Sequence, residues 1–265
     1  MNTRRVIDHI TEWLRSYCER HGQQGFVVGV SGGIDSAVTS ALCARTGLAT
    51  LCVEMPIHQA STQVARAQEH ISWLMQRHPN ARMEVVQLTP VFDQMMAALP
   101  AVEDKAAMEL ALANTRARLR MATLYYFAGL LRYVVAGTGN KVEDFGIGFF
   151  TKYGDGGVDL SPIADLTKTE VYAIARDLGI IDSIMQAKPT DGLWGDDRSD
   201  EDQIGASYPE LEWAMDIRER GIDPAKLDLS TRQLEVLAIF DRRKAANGHK
   251  MEPIPVCVIP PELKG

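Results

Sequence analysis

Apolar residues recur at Val6, Ile7, Ile10, Trp13, Leu14 and Tyr17, the spacing of one helical face, and predict a helix over 4–20. Gly22 and Gly25 interrupt that pattern, and the short apolar run over 26–30 predicts a buried strand. The alternation continues along the first half of the chain. It predicts a helix over 36–45, a strand over 49–55, a helix over 61–77, a strand over 83–88, a long helix over 104–131 and a strand over 133–136. Strands alternating with helices make an α/β fold: a doubly wound, mostly parallel sheet with helices on both faces. In such sheets ligands collect beyond the carboxyl ends of the strands, where strand order reverses. The least ordinary stretches of this sequence follow the strands expected to end at Val30 and Ala136.

The second half is less regular. Thr167, with Glu170 three residues on, has the pairing of a capping box and opens a predicted helix over 167–178. Helices are also predicted over 208–220 and 231–247. Residues 186–207 show no periodicity and carry Asp191, Asp196, Asp197, Asp200, Glu201 and Asp202 against Lys188 and Arg198. A segment that long without a period is expected to be a flexible lid. Nothing in the composition marks a boundary, so residues 1–265 are expected to form one domain.

Composition narrows the function classes. Hydrophobic residues make up 46% and charged residues 24%, the balance of a soluble chain with a substantial core. A formal net charge of −7 disfavours nucleic acid as a partner. No run of apolar residues is long enough for a membrane span, and Arg4 and Arg5 are followed by no apolar stretch of a secretory signal. Cys18, Cys43, Cys52 and Cys257 show no CxxC spacing, so free thiols in a reducing cytoplasm are expected.

The strongest chemical signal is Ser31-Gly32-Gly33-Ile34-Asp35-Ser36, set between a strand and a helix. Adjacent glycines let backbone N–H groups approach an anion, and the helix N-terminus adds its dipole. A tight strand-to-helix turn capped by Ser and Asp would use the same residue types. Asp35 argues for more than a turn. A carboxylate beside phosphates repels them unless a Mg²⁺ ion lies between. The string lacks the Gly-Lys-Ser/Thr of a P-loop, and Gly137-x-Gly139 has Val142 where a dinucleotide fingerprint needs glycine.

This hexapeptide resembles the pyrophosphate loop of the N-type ATP pyrophosphatases, an adenine nucleotide alpha hydrolase-like group that includes GMP, asparagine and NAD synthetases. The stretches Gly137-Thr138-Gly139-Asn140-Lys141-Val142-Glu143 and Gly148-Phe149-Phe150-Thr151-Lys152-Tyr153-Gly154-Asp155-Gly156-Gly157-Val158-Asp159 resemble the ammonia-dependent NAD synthetases. So do Asp165-Leu166-Thr167-Lys168, Lys188-Pro189-Thr190, Asp200-Glu201 and His249-Lys250, in the family's order over 26–250. Met251 departs from it, standing where many relatives have a basic residue.

The resemblance implies an ATP site formed by Gly29, Val30, Ser31, Gly32, Gly33, Ile34, Asp35, Ser36, Thr138, Lys168 and Thr190. It implies Mg²⁺ on Asp35 and Glu143, and deamido-NAD on Arg118, Lys152, Asp159, His249 and Lys250. Asn114 and Arg118, four apart, share a helical face, whereas Arg116 and Arg120 are expected at the surface. The implied reaction is amidation of deamido-NAD by ammonia through an adenylate, giving NAD, AMP and pyrophosphate in a homodimer, with no covalent nucleophile on the enzyme. Chain length leaves no room for a glutaminase module, which favours free ammonia; a separate glutaminase subunit stays open. Two other readings also stay open: another ATP-dependent ligase of the pyrophosphate-loop group, including one acting on tRNA, and a non-catalytic nucleotide sensor.

Overall fold

A computed structural model of the protein describes residues 1–190 and 199–264. The chain opens with α1 (Thr3–His21), whose first turn is capped by the Asn2 side chain and whose last ends at Gly22 with φ +64°. Then follow β1 (Gly25–Gly29), α2 (Ile34–Arg45), β2 (Ala49–Glu54), α3 (Ser61–Arg77), β3 (Ala81–Val85), α4 (Thr89–Ala98), α5 (Lys105–Leu131) and β4 (Val134–Val135). The strands form one parallel sheet in the order β3-β2-β1-β4, with Val27 registered against both Leu51 and Val135. The chain steps outward from β1 to β3 and returns to the other side of β1 for β4. The order therefore reverses at β1, as the α/β expectation requires.

Alternate strand residues feed opposite cores. Phe26, Val28 and Cys52 pack with Ile7, Leu14, Leu42 and Leu74 of α1, α2 and α3. Val27, Leu51, Val53 and Val135 pack with Phe92 of α4 and Ala128 of α5. With both faces covered, these strands read as continuous apolar runs rather than as an alternation. A third core joins the later elements. A π-helical segment, Lys141–Ile147, precedes α6 (Lys168–Leu178), α7 (Asp182–Met185), α8 (Asp200–Ile204), α9 (Tyr208–Glu219) and α10 (Thr231–Met251). Val142 and Ile147 pack with Leu211, Met215, Leu237 and Phe240. The capping box expected at Thr167 and Glu170 opens α6.

Three expectations change. The third strand lies at Ala81–Val85 rather than 83–88, because β2 ends at Glu54 and only Val86 N–H reaches its carbonyl before the chain turns into α4. Helix α4 was not expected, although Val91, Phe92, Met95 and Met96 recur at helical spacing; of these only Phe92 is buried. Within 186–207, residues 200–204 are helical: Ser199 and Asp202 form a capping box and Ile204 is buried. Residues 191–198, the middle of the expected lid, lie outside the described residues. Among the described residues no helix is long and apolar enough to cross a membrane. The cysteines are free; Cys18, Cys43 and Cys52 are buried and Cys257 is exposed.

Candidate active site

The 31–36 loop joins β1 to α2 at the point where strand order reverses. Gly32 adopts φ +82°, and a Cβ there would lie 2.7 Å from the Gln63 carbonyl oxygen, so the turn needs glycine. Its serines hold one another: Ser31 N–H donates to Ser36 Oγ at 3.2 Å, Gly33 N–H to Ser31 Oγ at 3.2 Å, and Ser36 Oγ to the Gly33 carbonyl at 3.0 Å. Among the described residues no side chain caps the α2 N-terminus, whose N-cap is Gly33. A rigid loop with an uncapped helix end behind it is an anion cradle.

A charged cluster faces the cradle. Asp35 stands in the first turn of α2 and Glu143 in the first turn of the π-helical segment. Asn140 caps that segment, accepting from Val142 and Glu143 N–H, and donates through Nδ2 to Asp35 Oδ1 at 3.3 Å. Gly139 leaves room for Asp144, whose carboxylate would collide with any Cβ there, at 1.9 Å. The Lys168 ammonium donates to Asp35 Oδ2 at 2.5 Å and Glu143 Oε1 at 3.0 Å. Tyr208, at the start of α9, donates to Glu143 Oε1 at 2.5 Å and lies 3.2 Å from Asp200 Oδ2. Burial works against the Lys168 charge, but Asp35 and Glu143 outweigh it and push its pKa up. For Glu143, burial is overcome by the Lys168 charge and the Tyr208 hydrogen bond, and its carboxyl is held below the usual range. Asp35 lacks the tyrosine, and burial keeps its carboxyl above that range. Burial and the Glu143 charge also push Asp144 well up.

Asp35, Glu143, Asp144, Lys168 and Asp200 line a cleft of about 1330 Å³, counting its open mouth. Of the residues expected at ATP, Gly29, Val30, Ser31, Gly33, Ile34, Asp35, Ser36, Thr138, Lys168 and Thr190 line it; Gly32 is buried behind, against α3. Part of the lining is apolar, with Met55, Met121, Leu124 and Val158. Asp35, Glu143, Asp144, Asp155 and Asp200 supply acid to the lining, whereas Lys168 and Arg120 supply base. The hard carboxylate oxygens of this wall suit Mg²⁺. Among the described residues no three acidic, His or Cys side chains converge on one point for an ion. Asp35 and Glu143 would hold Mg²⁺ as a pair, leaving the remaining positions to phosphate and water, the usual habit of that ion.

The residues expected at deamido-NAD fall into two sets. Arg118 donates to the Lys152 carbonyl at 3.3 Å, and Lys152 Nζ to the His249 carbonyl at 2.7 Å. Lys250 Nζ reaches the Gly148 carbonyl and, at 2.6 Å, that of Phe150. Those four residues gather beside the last turn of α10, and Asn114, which accepts from Thr151 Oγ1 at 2.6 Å, shares the face of Arg118 as expected. Asp159 sits apart. It accepts from Tyr125 Oη at 3.0 Å and Val135 N–H at 2.8 Å, and lines a second cavity with Tyr17, His21 and Tyr133.

The expectation for Arg116 and Arg120 is corrected. Arg116 is half-buried with its guanidinium 4.4 Å from the Phe92 ring centroid. Arg120 lines the cleft, donating to the Met55 carbonyl at 3.1 Å and Gln59 Oε1 at 3.3 Å. Helical spacing gives the angle between residues but not which face meets the sheet. Sequence reasoning also missed Tyr208 and Gln59, and it singled out Asn140 and Asp200 only within the 137–143 stretch and the Asp-Glu pair.

Known proteins agree with this geometry. The NAD synthase family model matches residues 6–253. The NH(3)-dependent NAD(+) synthetase of Methanosarcina mazei is 35% identical over 268 residues, covering 99% of this chain and 100% of the relative. That of Carboxydothermus hydrogenoformans is 37% identical over 218 residues, covering 80% of this chain and 85% of the relative. A solved structure named NMN synthetase, from Francisella tularensis, has a TM-score of 0.80 at 28% identity and covers 98% of this chain and 99% of its own. An NH3-dependent NAD synthetase structure from Campylobacter jejuni, at 24% identity, shares the fold with a TM-score of 0.77 over 97% of this chain and 100% of its own. Because the match runs from the first helix past the end of α10, taking in both the phosphate cradle and the acidic wall, this chain belongs to the NAD synthase family.

Proposed function

We propose that the protein is a C–N ligase that amidates deamido-NAD with ammonia while splitting ATP to AMP and pyrophosphate. One observation carries the reading: the uncapped α2 N-terminus, with its serine-braced loop and Asp35, shares one cleft with Glu143 and Lys168. The β- and γ-phosphates rest on the loop N–H groups, with Thr138, Lys168 and Thr190 around them, and the base meets the apolar lining at Met55 and Leu124. A carboxylate oxygen of deamido-NAD attacks the α-phosphorus. The bond between that phosphorus and the bridging oxygen to the β-phosphorus breaks, and pyrophosphate leaves into the cradle. Asp35 and Glu143 would hold Mg²⁺, which would supply charge neutralisation to the phosphates and to the departing pyrophosphate. Lys168 offers the phosphates a buried ammonium, worth more in this enclosed cleft than in water. Ammonia then attacks the acyl carbon, loses a proton, and AMP departs with the oxygen it received.

Arg118, Lys152, His249 and Lys250 would hold the acceptor beside α10. We read residues 1–265 as one domain acting in the cytoplasm, supported by three buried free thiols. We also read it as a homodimer. Its support is the apolar surface of α4 and α5, where Val91, Met95, Leu99, Leu110, Tyr126 and Leu130 are exposed.

The test is product analysis by phosphorus NMR with ATP, Mg²⁺, ammonia and deamido-NAD, running nicotinic acid mononucleotide in parallel. That second acceptor is chosen because of the name the Francisella structure carries. The expected result is AMP, pyrophosphate and NAD, with deamido-NAD the better acceptor. Appearance of ADP would exclude the mechanism, and a preference for the mononucleotide would reassign the acceptor.

A further inference from the structure

Tyr208 is 4% exposed and opens α9, where its backbone N–H donates to Glu201 Oε1 at 2.9 Å. Its hydroxyl has two acidic neighbours, Glu143 Oε1 at 2.5 Å and Asp200 Oδ2 at 3.2 Å. The Lys168 ammonium lies 4.7 Å from its ring centroid. One side chain thus touches the cation and one carboxylate of the buried cluster, and reaches the acid that opens α8. The resemblance to known synthetases assigned it nothing. Tyr208 and Lys168 both donate to the same oxygen of Glu143, which fixes the rotation of that carboxylate about its stem. Without the hydroxyl, the carboxylate keeps the lysine, whose ammonium is shared with Asp35, and the weaker hold of the Asn140 amide. The carboxylate would then be held less firmly at the bearing it needs toward an ion. Pre-setting of a ligand by a neighbour is worth tenfold or more in affinity at metal sites generally.

We propose that Tyr208 is a positioning residue that sets Glu143 for a divalent cation through its hydroxyl, and links α8 to the nucleotide cleft through Asp200. The inference rests on the reading of Asp35 and Glu143 as a Mg²⁺ pair. Tyr208→Phe keeps the ring, its packing among Leu211 and Ile204, and its contact with Lys168; it removes only the hydroxyl.

The experiment measures Mn²⁺ binding by electron paramagnetic resonance, with α,β-methylene-ATP filling the nucleotide site. It is paired with the Mg²⁺ dependence of turnover, and unfolding midpoints check the fold. Tyr208→Phe should weaken Mn²⁺ binding and raise half-saturating Mg²⁺ roughly tenfold, with kcat recovering at high Mg²⁺. A second variant, Tyr208→Leu, should weaken Mn²⁺ at least as much and also lower the unfolding midpoint. Equal Mn²⁺ affinity in wild type and Tyr208→Phe overturns the inference and leaves the metal pair standing. A loss of turnover in Tyr208→Phe that added Mg²⁺ does not repair overturns it too. If wild type binds no Mn²⁺ with the analogue, while Asp35→Asn and Glu143→Gln change nothing, the metal reading itself falls and takes this inference with it.

Discussion

Replacing Lys168 with methionine keeps an apolar stem of similar length and deletes the ammonium between Asp35 and Glu143. The lysine side chain is 4% exposed, and the two carboxylates are 17% and 15% exposed. Removing one partner of a buried pair costs about 3–5 kcal/mol. Because both acids keep some contact with water, we expect the lower end, about 3 kcal/mol near neutral pH in the absence of nucleotide. The sign of the pH dependence follows. Without the ammonium both carboxyls titrate above their unfolded value of about 4. A carboxyl raised in the folded state stabilises fully below its unfolded pKa, and that stability is lost as pH rises through the folded pKa. The deficit of Lys168→Met relative to wild type should therefore be largest near pH 8 and shrink by more than half near pH 5. Urea unfolding followed by circular dichroism at both values measures it. Adding Asp35→Asn to Lys168→Met should recover part of the loss, since one unpaired charge is then gone. A deficit under about 1 kcal/mol near pH 8, or one that does not change with pH, would refute the account of this cluster.

Further outcomes follow from single residues. Gly32→Ala should cost about 2 kcal/mol or more and abolish ATP binding, because φ +82° and the Gln63 carbonyl at 2.7 Å both oppose a side chain; thermal unfolding and nucleotide titration check it. Arg118→Ala should raise the KM for deamido-NAD more than that for ATP. Arg120→Ala should do the reverse by loosening Met55 and Gln59 at the cleft wall; steady-state kinetics with each substrate varied decides both. Burial pushes the His70 imidazole down to about 4 from 6.5, so the unfolded state binds the extra proton first and stability falls as pH drops through that window. The fall attributable to His70 is about 3 kcal/mol, and His70→Asn should flatten it in unfolding experiments at stepped pH.

The central strands and the anion cradle were legible because each is local: an apolar run of strand length, a glycine pair, then a helix. Glu143 was placed only through the family resemblance, and the structure shows why spacing alone could not do it. The segment from Lys141 is π-helical, so the consecutive residues Glu143 and Asp144 both face the cleft, which neither a 3.6-residue nor a 2-residue period predicts. Arg120 was misplaced for a related reason. On α5, buried at Ala113, Ala117 and Ala128 and touching both sheet and loops, polarity does not mark the inner face. Tyr208 meets Glu143 and Lys168 only through tertiary packing, and nothing near residue 208 carries that signal. The sheet's covered faces, by contrast, follow directly from strand composition.

The central claim is that the acceptor's own carboxylate attacks the α-phosphorus before ammonia arrives. Oxygen-18 placed in both carboxylate oxygens of deamido-NAD, with unlabelled ATP and ammonia, tests it directly by mass spectrometry of the products. The account predicts AMP carrying a single oxygen-18, NAD retaining the other in its amide, and pyrophosphate carrying none. Unlabelled AMP, or label in pyrophosphate, would contradict it.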